Sequence, residues 1–317
     1  MFIVLPYTPD RAEEWNRFVA ASKNATFLFD RGYMDYHANR FEDHSLMVYN
    51  CKGQPFALLP ANIVGSTLYS HQGLTYGGLI IGEKATAAGV CEAMTAICDY
   101  LRSQGITKVI YKTIPWIYPV MPSDEPLYAL TEVCSARLVS RDIASVVNFG
   151  HCAPVAKLRL RGEKKAMRHA VHVENSDDFA VFWAILTNNL REKYASQPVH
   201  TLDEMMLLKS LFPDHIRLIA AFEGTTMVAG TVLYITPQVV KTQYISASPR
   251  GKEVGALDML FLQLLTSPTT FLASRPQYFD MGTSALDHST ELRLPLIFQK
   301  EGFGARAVCF DTYEWTP

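Results

Sequence analysis

Along the second half of the chain, apolar positions switch between helical and strand-like spacing. Phe179, Phe182, Trp183, Leu186 and Leu190 fall on one helical face, and Ser176 is positioned to cap that helix. Thr201-Leu-Asp-Glu204 reads as a capping box opening a second helix. Three strand-like runs follow, 216–222, 227–235 and 239–247, separated by turn signals at Glu223-Gly224 and Thr236-Pro237. A helix near 255–265, a strand around 278–281, a helix ending near Lys300 and a strand over 305–313 complete the order α-α-β-β-β-α-β-α-β. The first half predicts a helix around 9–22, strands near 45–50, 56–63 and 67–71, a long helix over 83–103 and a strand over 106–112. Val90, Met94, Ile97 and Leu101 give the long helix its apolar stripe, and Gly105 suits its C-terminal cap.

The two halves are related. The segment 40–57 lies without gaps over 211–228, matching Phe41 with Phe212, Asp43 with Asp214, His44 with His215 and Gly53 with Gly224 at one offset of 171 (212 minus 41), which also pairs Gln72 with Gln243. Upstream, Glu13-Glu-Trp-Asn-Arg-Phe18 resembles Asp177-Asp-Phe-Ala-Val-Phe182. The chain therefore reads as two copies of one α/β unit, with domains expected over 1–150 and 151–317.

Composition narrows the function classes. The chain has 317 residues, 29 Lys+Arg against 31 Asp+Glu and 49% hydrophobic residues, which excludes a disordered, collagenous or coiled-coil protein and a globally basic DNA-binding surface. No apolar run reaches the roughly 18 residues of a membrane span, and the first residues lack the pattern of a signal peptide, so a cytoplasmic protein is expected. The six cysteines are scattered without a C-x-x-C pair and read as small buried hydrophobes of a reducing compartment, with no metal expected. His169 and His172 lack a third ligand. One departure from neutrality is local: Lys157, Arg159, Arg161, Lys164, Lys165 and Arg168 put six basic residues in twelve. That segment is a solvated linker or a phosphate-binding helix or hairpin.

The order of three antiparallel strands, a helix, a strand, a helix and a strand resembles the GNAT acyltransferase fold. Ser248-Pro-Arg250-Gly-Lys-Glu253-Val-Gly255 stands where GNAT enzymes carry Q/R-x-x-G-x-G/A, the loop that aims backbone N–H groups at the coenzyme A pyrophosphate. Glu253 replaces the middle glycine, and a carboxylate about 4 Å from a phosphate charge costs roughly 4 kcal/mol at an effective dielectric near 20. Tandem GNAT units with such a degenerate loop resemble the FemAB-like family, aminoacyl-tRNA-dependent transferases that act on peptidoglycan precursors. Gln299-Lys300-Glu-Gly-Phe303-Gly304 resembles the K-x-x-F-G segment of Fem transferases, and Tyr111-Lys112-Thr-Ile-Pro115 resembles their K-x-D-P segment, with Ile114 in place of the acidic residue. The region between Asp142 and Asp177 is too short for the long helical hairpin with which some Fem proteins grip tRNA.

The resemblance implies an acyl or aminoacyl transfer to an amine, with either aminoacyl-tRNA or acyl-coenzyme A as donor, no tightly bound cofactor, and a small-molecule or cell-wall-precursor acceptor. Its motifs point to Lys300 as a cation near the reacting acyl group, with Phe303 and Lys112 in the substrate site. The remaining candidates come from chemistry and placement. His71 and Tyr76, in the polar glycine-rich stretch 70–78, could hold or deprotonate an acceptor amine or simply shape a tight turn. Tyr244, beside Gln243 on the equivalent strand of the second copy, could orient a carbonyl or pack at an interface. Arg250, Lys164 and Arg168 are candidate phosphate contacts, tRNA included, through the 157–168 segment. Asp280 is either a substrate carboxylate or a turn residue, and Lys300 either supports an oxyanion or complements a helix dipole. An acyl-coenzyme A N-acetyltransferase with an altered loop and a non-catalytic binding protein are the competing readings.

Overall fold

The computed structural model describes residues 2–284 and 292–317. The chain forms two compact units, Met1–Asp142 with Cys309–Pro317, and Ile143–Val308. The sequence halves were divided at 150, whereas contacts divide the chain at 142 and return its last nine residues to the first unit.

In the first unit, β1 (Ile3–Pro6), α1 (Ala12–Ala21), the single-turn α2 (Arg31–Met34) and the short β2 (Glu42–Asp43) precede a hairpin of β3 (Leu46–Tyr49) and β4 (Pro55–Leu59). β5 (Asn62–Val64), β6 (Thr67–Tyr69), β7 (Ile80–Ile81), α3 (Ala87–Ser103), β8 (Lys108–Lys112) and α4 (Glu125–Glu132) follow. One antiparallel sheet runs β1-β3-β4-β7. A second set pairs β2 with β5, β5 with β6, and β6 in parallel with β8. The strand expected over 56–63 is thus two strands, interrupted at Pro60, which has no N–H for a ladder. The strand expected over 67–71 ends at Tyr69, and its continuation is the separate β7 after a ten-residue loop. The stripe foreseen on α3 is buried in full: Val90, Met94, Ile97 and Leu101 lie in the first unit's core. Thr86 caps the helix by accepting from Gly89 N–H, and Gly105 sits at φ +74° beyond its end.

β9 (Arg137–Asn148) carries the chain into the second unit, where α5 (Lys157–Arg168), β10 (Val171–Ser176), α6 (Phe179–Tyr194) and α7 (Leu202–Leu211) come first. Then follow β11 (Ile216–Glu223), β12 (Thr226–Ile235), β13 (Val239–Ala247), α8 (Pro249–Val254), α9 (Ala256–Thr266), β14 (Tyr278–Thr283), α10 (Leu294–Glu301) and β15 (Arg306–Trp315). β10 to β13 form an antiparallel meander, β13 pairs with β14 in parallel, and β14 pairs antiparallel with Ala144–Asn148 of β9. The final residues of β15, Thr312–Trp315, pair with β8 in the first unit.

The turn glycines matched by the repeat adopt the same conformation: Gly53 lies at φ +71° and Gly224 at φ +60°, each closing the hairpin of its copy. Thr201 and Glu204 form the expected capping box, with both reciprocal bonds present. Asp178, not Ser176, caps α6, since Asp178 accepts from Val181 N–H while Ser176 Oγ accepts from Asp178 N–H one turn earlier. The cysteines differ from expectation too. Only Cys98 and Cys134 are buried; Cys51, Cys152 and Cys309 are exposed.

Candidate functional site

The parallel ladder between β13 and β14 covers Val239, Val240 and Lys241 against Tyr278, Phe279 and Asp280, and then stops. β13 continues to Ala247 paired with β12, through a register shift opposite Val232 and Leu233. β14 turns at Gly282, which holds φ +78°. The two strands part, and a cavity of ≈ 200 Å³ opens between them. Ile245, Ser246 and Ala247 line it from β13, Met281 from β14, and Leu186, Asn189, Leu190 and Lys193 from α6. Lys252 and Leu257 enclose it near the α8–α9 junction, and Leu296, Gln299 and Lys300 from α10.

Lys300 is 4% exposed, at the wall of this cavity. Its ammonium donates to Gly282 O and Thr283 O at 2.8 Å each and to Ser284 Oγ at 2.9 Å. All three N–H groups of the charged form are therefore used by the strand end of β14. Burial lowers its pKa to about 8, partly offset by the carboxylate of Asp280 and reinforced by the charge of Lys241. Asp280 is fully buried, and its Oδ1 accepts from Gly282 N–H at 2.7 Å. Lys241, its register partner, donates to Gln243 Oε1 at 3.0 Å and has its pKa lowered by burial, against the pull of Asp280. Asp280 thus bonds the turn at Gly282 with its side chain and is at the same time a buried counter-charge to Lys241 and Lys300.

Asn189 braces the opposite wall. Its Nδ2 donates to Ser246 Oγ at 2.6 Å and to Ala247 O at 2.7 Å, while its Oδ1 accepts from Lys252 Nζ at 2.5 Å. The loop after β13 is a closed turn of helix. Ser248 Oγ accepts from Gly251 N–H, Ser248 O from Lys252 N–H, and Gly251 O from Gly255 N–H. Arg250 turns to Glu223, donating at 2.8 and 2.6 Å, and pairs with Glu253 at 3.0 Å. Beside this loop a second cavity of ≈ 400 Å³ shares Lys252, Leu257 and Gln299 with the first and reaches Arg159 of α5 and Phe298 of α10.

The other sequence candidates are dispersed. Tyr244 is hydrogen-bonded to His200, accepting from its backbone N–H at 3.1 Å and lying 2.5 Å from its Nδ1, and it packs edge-on against Trp183. Burial pushes its hydroxyl up to about 12. Phe303 is a core residue packed on Phe261, with the Arg159 guanidinium over its ring. Lys164 and Arg168 are exposed on α5.

In the first unit, His71 is buried at φ +69°, and burial together with the neighbouring His37 lowers its pKa to about 3. Tyr76 is buried, bonded to Thr26 Oγ1 at 3.0 Å and packed on Tyr118. Lys112 donates to Leu74 O at 2.7 Å and to His71 O and Gln72 O at 3.3 and 3.4 Å, with a pKa that burial lowers to about 8.

Asn189, Lys193, Ser246 and Lys252 were not singled out from the sequence. Their side chains reach one cavity only because α6, β13 and α8 converge in space. Lys241 did leave a trace: it is a charged residue directly after the apolar pair Val239-Val240 of a strand.

No protein-family model matches the chain, and no curated protein matches it in sequence. Solved structures do match its fold. FemX superposes with a TM-score of 0.66 at 8% identity, covering 99% of this chain and 97% of that one. L-PGS from Bacillus licheniformis gives 0.61 at 13% identity, covering 97% and 91%. A tandem GNAT protein from the clavulanic acid biosynthesis pathway gives 0.51 at 12% identity, covering 100% and 98%. The fold is therefore that of tandem GNAT-like units.

Proposed function

We propose that this protein is an acyltransferase of the FemAB-like type, which moves an acyl or aminoacyl group onto an amine in the cavity between β13 and β14. The observation that carries this reading is the parting of those strands over a buried lysine. It supplies a slot for an extended acyl ester and a positive charge beside it. Aminolysis needs a neutral amine held against the ester carbonyl and stabilisation of the tetrahedral oxyanion, not a covalent enzyme intermediate. Lys300 would act as a point charge on the oxyanion while its N–H groups hold the 282–284 backbone. Asp280 would keep that charge in place. Asn189 and Ser246 line the same slot as polar contacts for the substrate.

The state of the α8 loop favours an aminoacyl ester over a coenzyme A thioester as donor. The amides of Gly251, Lys252 and Gly255 are bonded within the turn, and Arg250 is held by two carboxylates. A pyrophosphate would have to displace those amide bonds and those ion pairs. A cell-wall-precursor amine is the acceptor that fits the FemAB-like reading.

A ligand panel tests the proposal: acetyl-coenzyme A, aminoacyl-tRNA and UDP-linked sugar-peptides, read by thermal shift and by transfer of labelled amino acid. Aminoacyl transfer to the sugar-peptide, lowered about a hundredfold in Lys300→Met, is the expected result. Stabilisation by acetyl-coenzyme A alone would replace the donor assignment. Binding without transfer to any acceptor would make the cavity a ligand-binding site only.

A further inference from the structure

Helix α5 carries the six clustered basic residues, and the fold sorts them. Arg159 turns inward, pairing with Asp258 at 2.6 Å, and Ala166 is buried. Lys157, Arg161, Lys164, Lys165 and Arg168 are exposed, and none of them is in an ion pair among the described residues. At 100° per residue these five lie within one outward stripe. Glu163, the helix's one acid, sits towards the buried side and is half-buried. Apolar side chains flank the stripe on both shoulders, Leu158 being 46% exposed, Leu160 40% and Met167 56%.

On the Leu158 shoulder the apolar surface extends to α10. Leu158, Pro295 and Phe298 line one cavity, and Leu294 and Phe298 are each 67% exposed. A phosphate backbone would use the cations and leave the aliphatic side chains in water. An anionic bilayer uses both, with lysine and arginine at the headgroups and leucine and phenylalanine in the acyl boundary. We infer that the outer face of α5, together with Leu294 and Phe298 of α10, docks this protein on an anionic phospholipid surface. The docking inferred is peripheral, through exposed side chains of α5 and α10; among the described residues no helix is long and apolar enough to cross a membrane. Leu296, Gln299 and Lys300 of the same α10 line the cavity between β13 and β14, so docking sets that cavity next to the lipid boundary.

The full chain is sedimented with vesicles of phosphatidylcholine and with vesicles of three parts phosphatidylcholine to one part phosphatidylserine, at low and high salt. Binding to the anionic vesicles that weakens with salt is expected. Each basic residue near an anionic leaflet strengthens binding about fivefold, so the double variant Lys164→Glu/Arg168→Glu lowers it at least about 25-fold. Leu294→Ser/Phe298→Ser lowers it about tenfold or more. All four positions are exposed, and unchanged melting temperatures verify folding. Absence of binding to anionic vesicles overturns the inference, as does undiminished binding of the serine variant. If unfractionated tRNA instead binds, and the charge-reversal variant alone loses it while vesicles never bind, α5 is an RNA-binding helix and not a membrane-docking one.

Discussion

The two units carry one strand-and-helix plan, yet they treat the segment after their third strand differently. In the second unit β13 runs unbroken over nine residues and parts from β14. In the first, the matching stretch is cut into β6 and β7, and the ten residues between them fold inward with His71 and Tyr76 buried. Each unit also holds a lysine whose ammonium is wrapped by three oxygen acceptors and whose pKa is lowered to about 8. Lys112 clamps the buried 71–74 loop, whereas Lys300 clamps the end of β14 and also lines a cavity. The same chemical device therefore closes one unit and furnishes the other. What separates a structural lysine from a candidate catalytic one here is the space beside it, not its bonding.

The largest expected break in this comparison comes from Asp280. Removing it leaves Lys241 and Lys300 buried without their counter-charge, and Asp280→Ala should destabilise the protein by about 3–5 kcal/mol in urea unfolding. A loss below about 1 kcal/mol would show that the two lysines are neutral in the folded state.

Next is the pH dependence. A lysine whose folded pKa is below its unfolded value carries a burial penalty that is fully present below about 8 and disappears as pH rises to 10.5. Stability from Lys300 therefore increases across that window, by roughly 3 kcal/mol. Lys300→Met should remove this rise, and Lys112→Met should remove a similar one. Transfer activity should separate the two variants, falling about a hundredfold in Lys300→Met and less than about tenfold in Lys112→Met. Equal losses would place both lysines in structural roles.

A smaller effect addresses the α8 loop. A Cβ on Gly251 would stand 2.1 Å from Val228 O, so Gly251→Ala should cost about 2 kcal/mol or more through backbone displacement. The smallest effects test the repeat itself. Gly53 and Gly224 occupy matching turns at positive φ with nothing within 4 Å of an added Cβ. Alanine at either should cost about 1 kcal/mol, equal within error, from left-handed backbone strain alone. A difference above about 1 kcal/mol would mean that the two hairpins are not equivalent.

Much of the second unit was legible because its signals are local. The capping box at Thr201 and Glu204, the Gly224 turn and the apolar run of β12 each follow from residues within a few positions of one another. The first unit was less so. Pro60 and the inward loop redirect the chain through contacts between distant residues, such as Ser70 N–H donating to Ile110 O and Lys112 donating to Leu74 O. Among the candidate residues, Lys300 lines the cavity. Tyr244 and Arg250 are held elsewhere by His200 and by Glu223 with Glu253, partners that no spacing rule selects. Strict alternation along a strand would turn Ser246 to the face opposite Ile245 and Ala247, yet all three line the cavity. The strand carries a register shift at Gln243 and ends at Ala247, and the parting of β14 exposes more than one of its faces.

The sequence by itself determined the order of elements from α6 to β15, the duplication and the concentration of charge in 157–168, because periodicity, turn chemistry and composition act over short stretches. Tertiary structure decided which lysine faces a cavity, which basic residues of α5 remain free, and that Asp280 stands between two buried cations. Those outcomes depend on desolvation and on pairings across tens to hundreds of residues, which only the packed chain brings within reach.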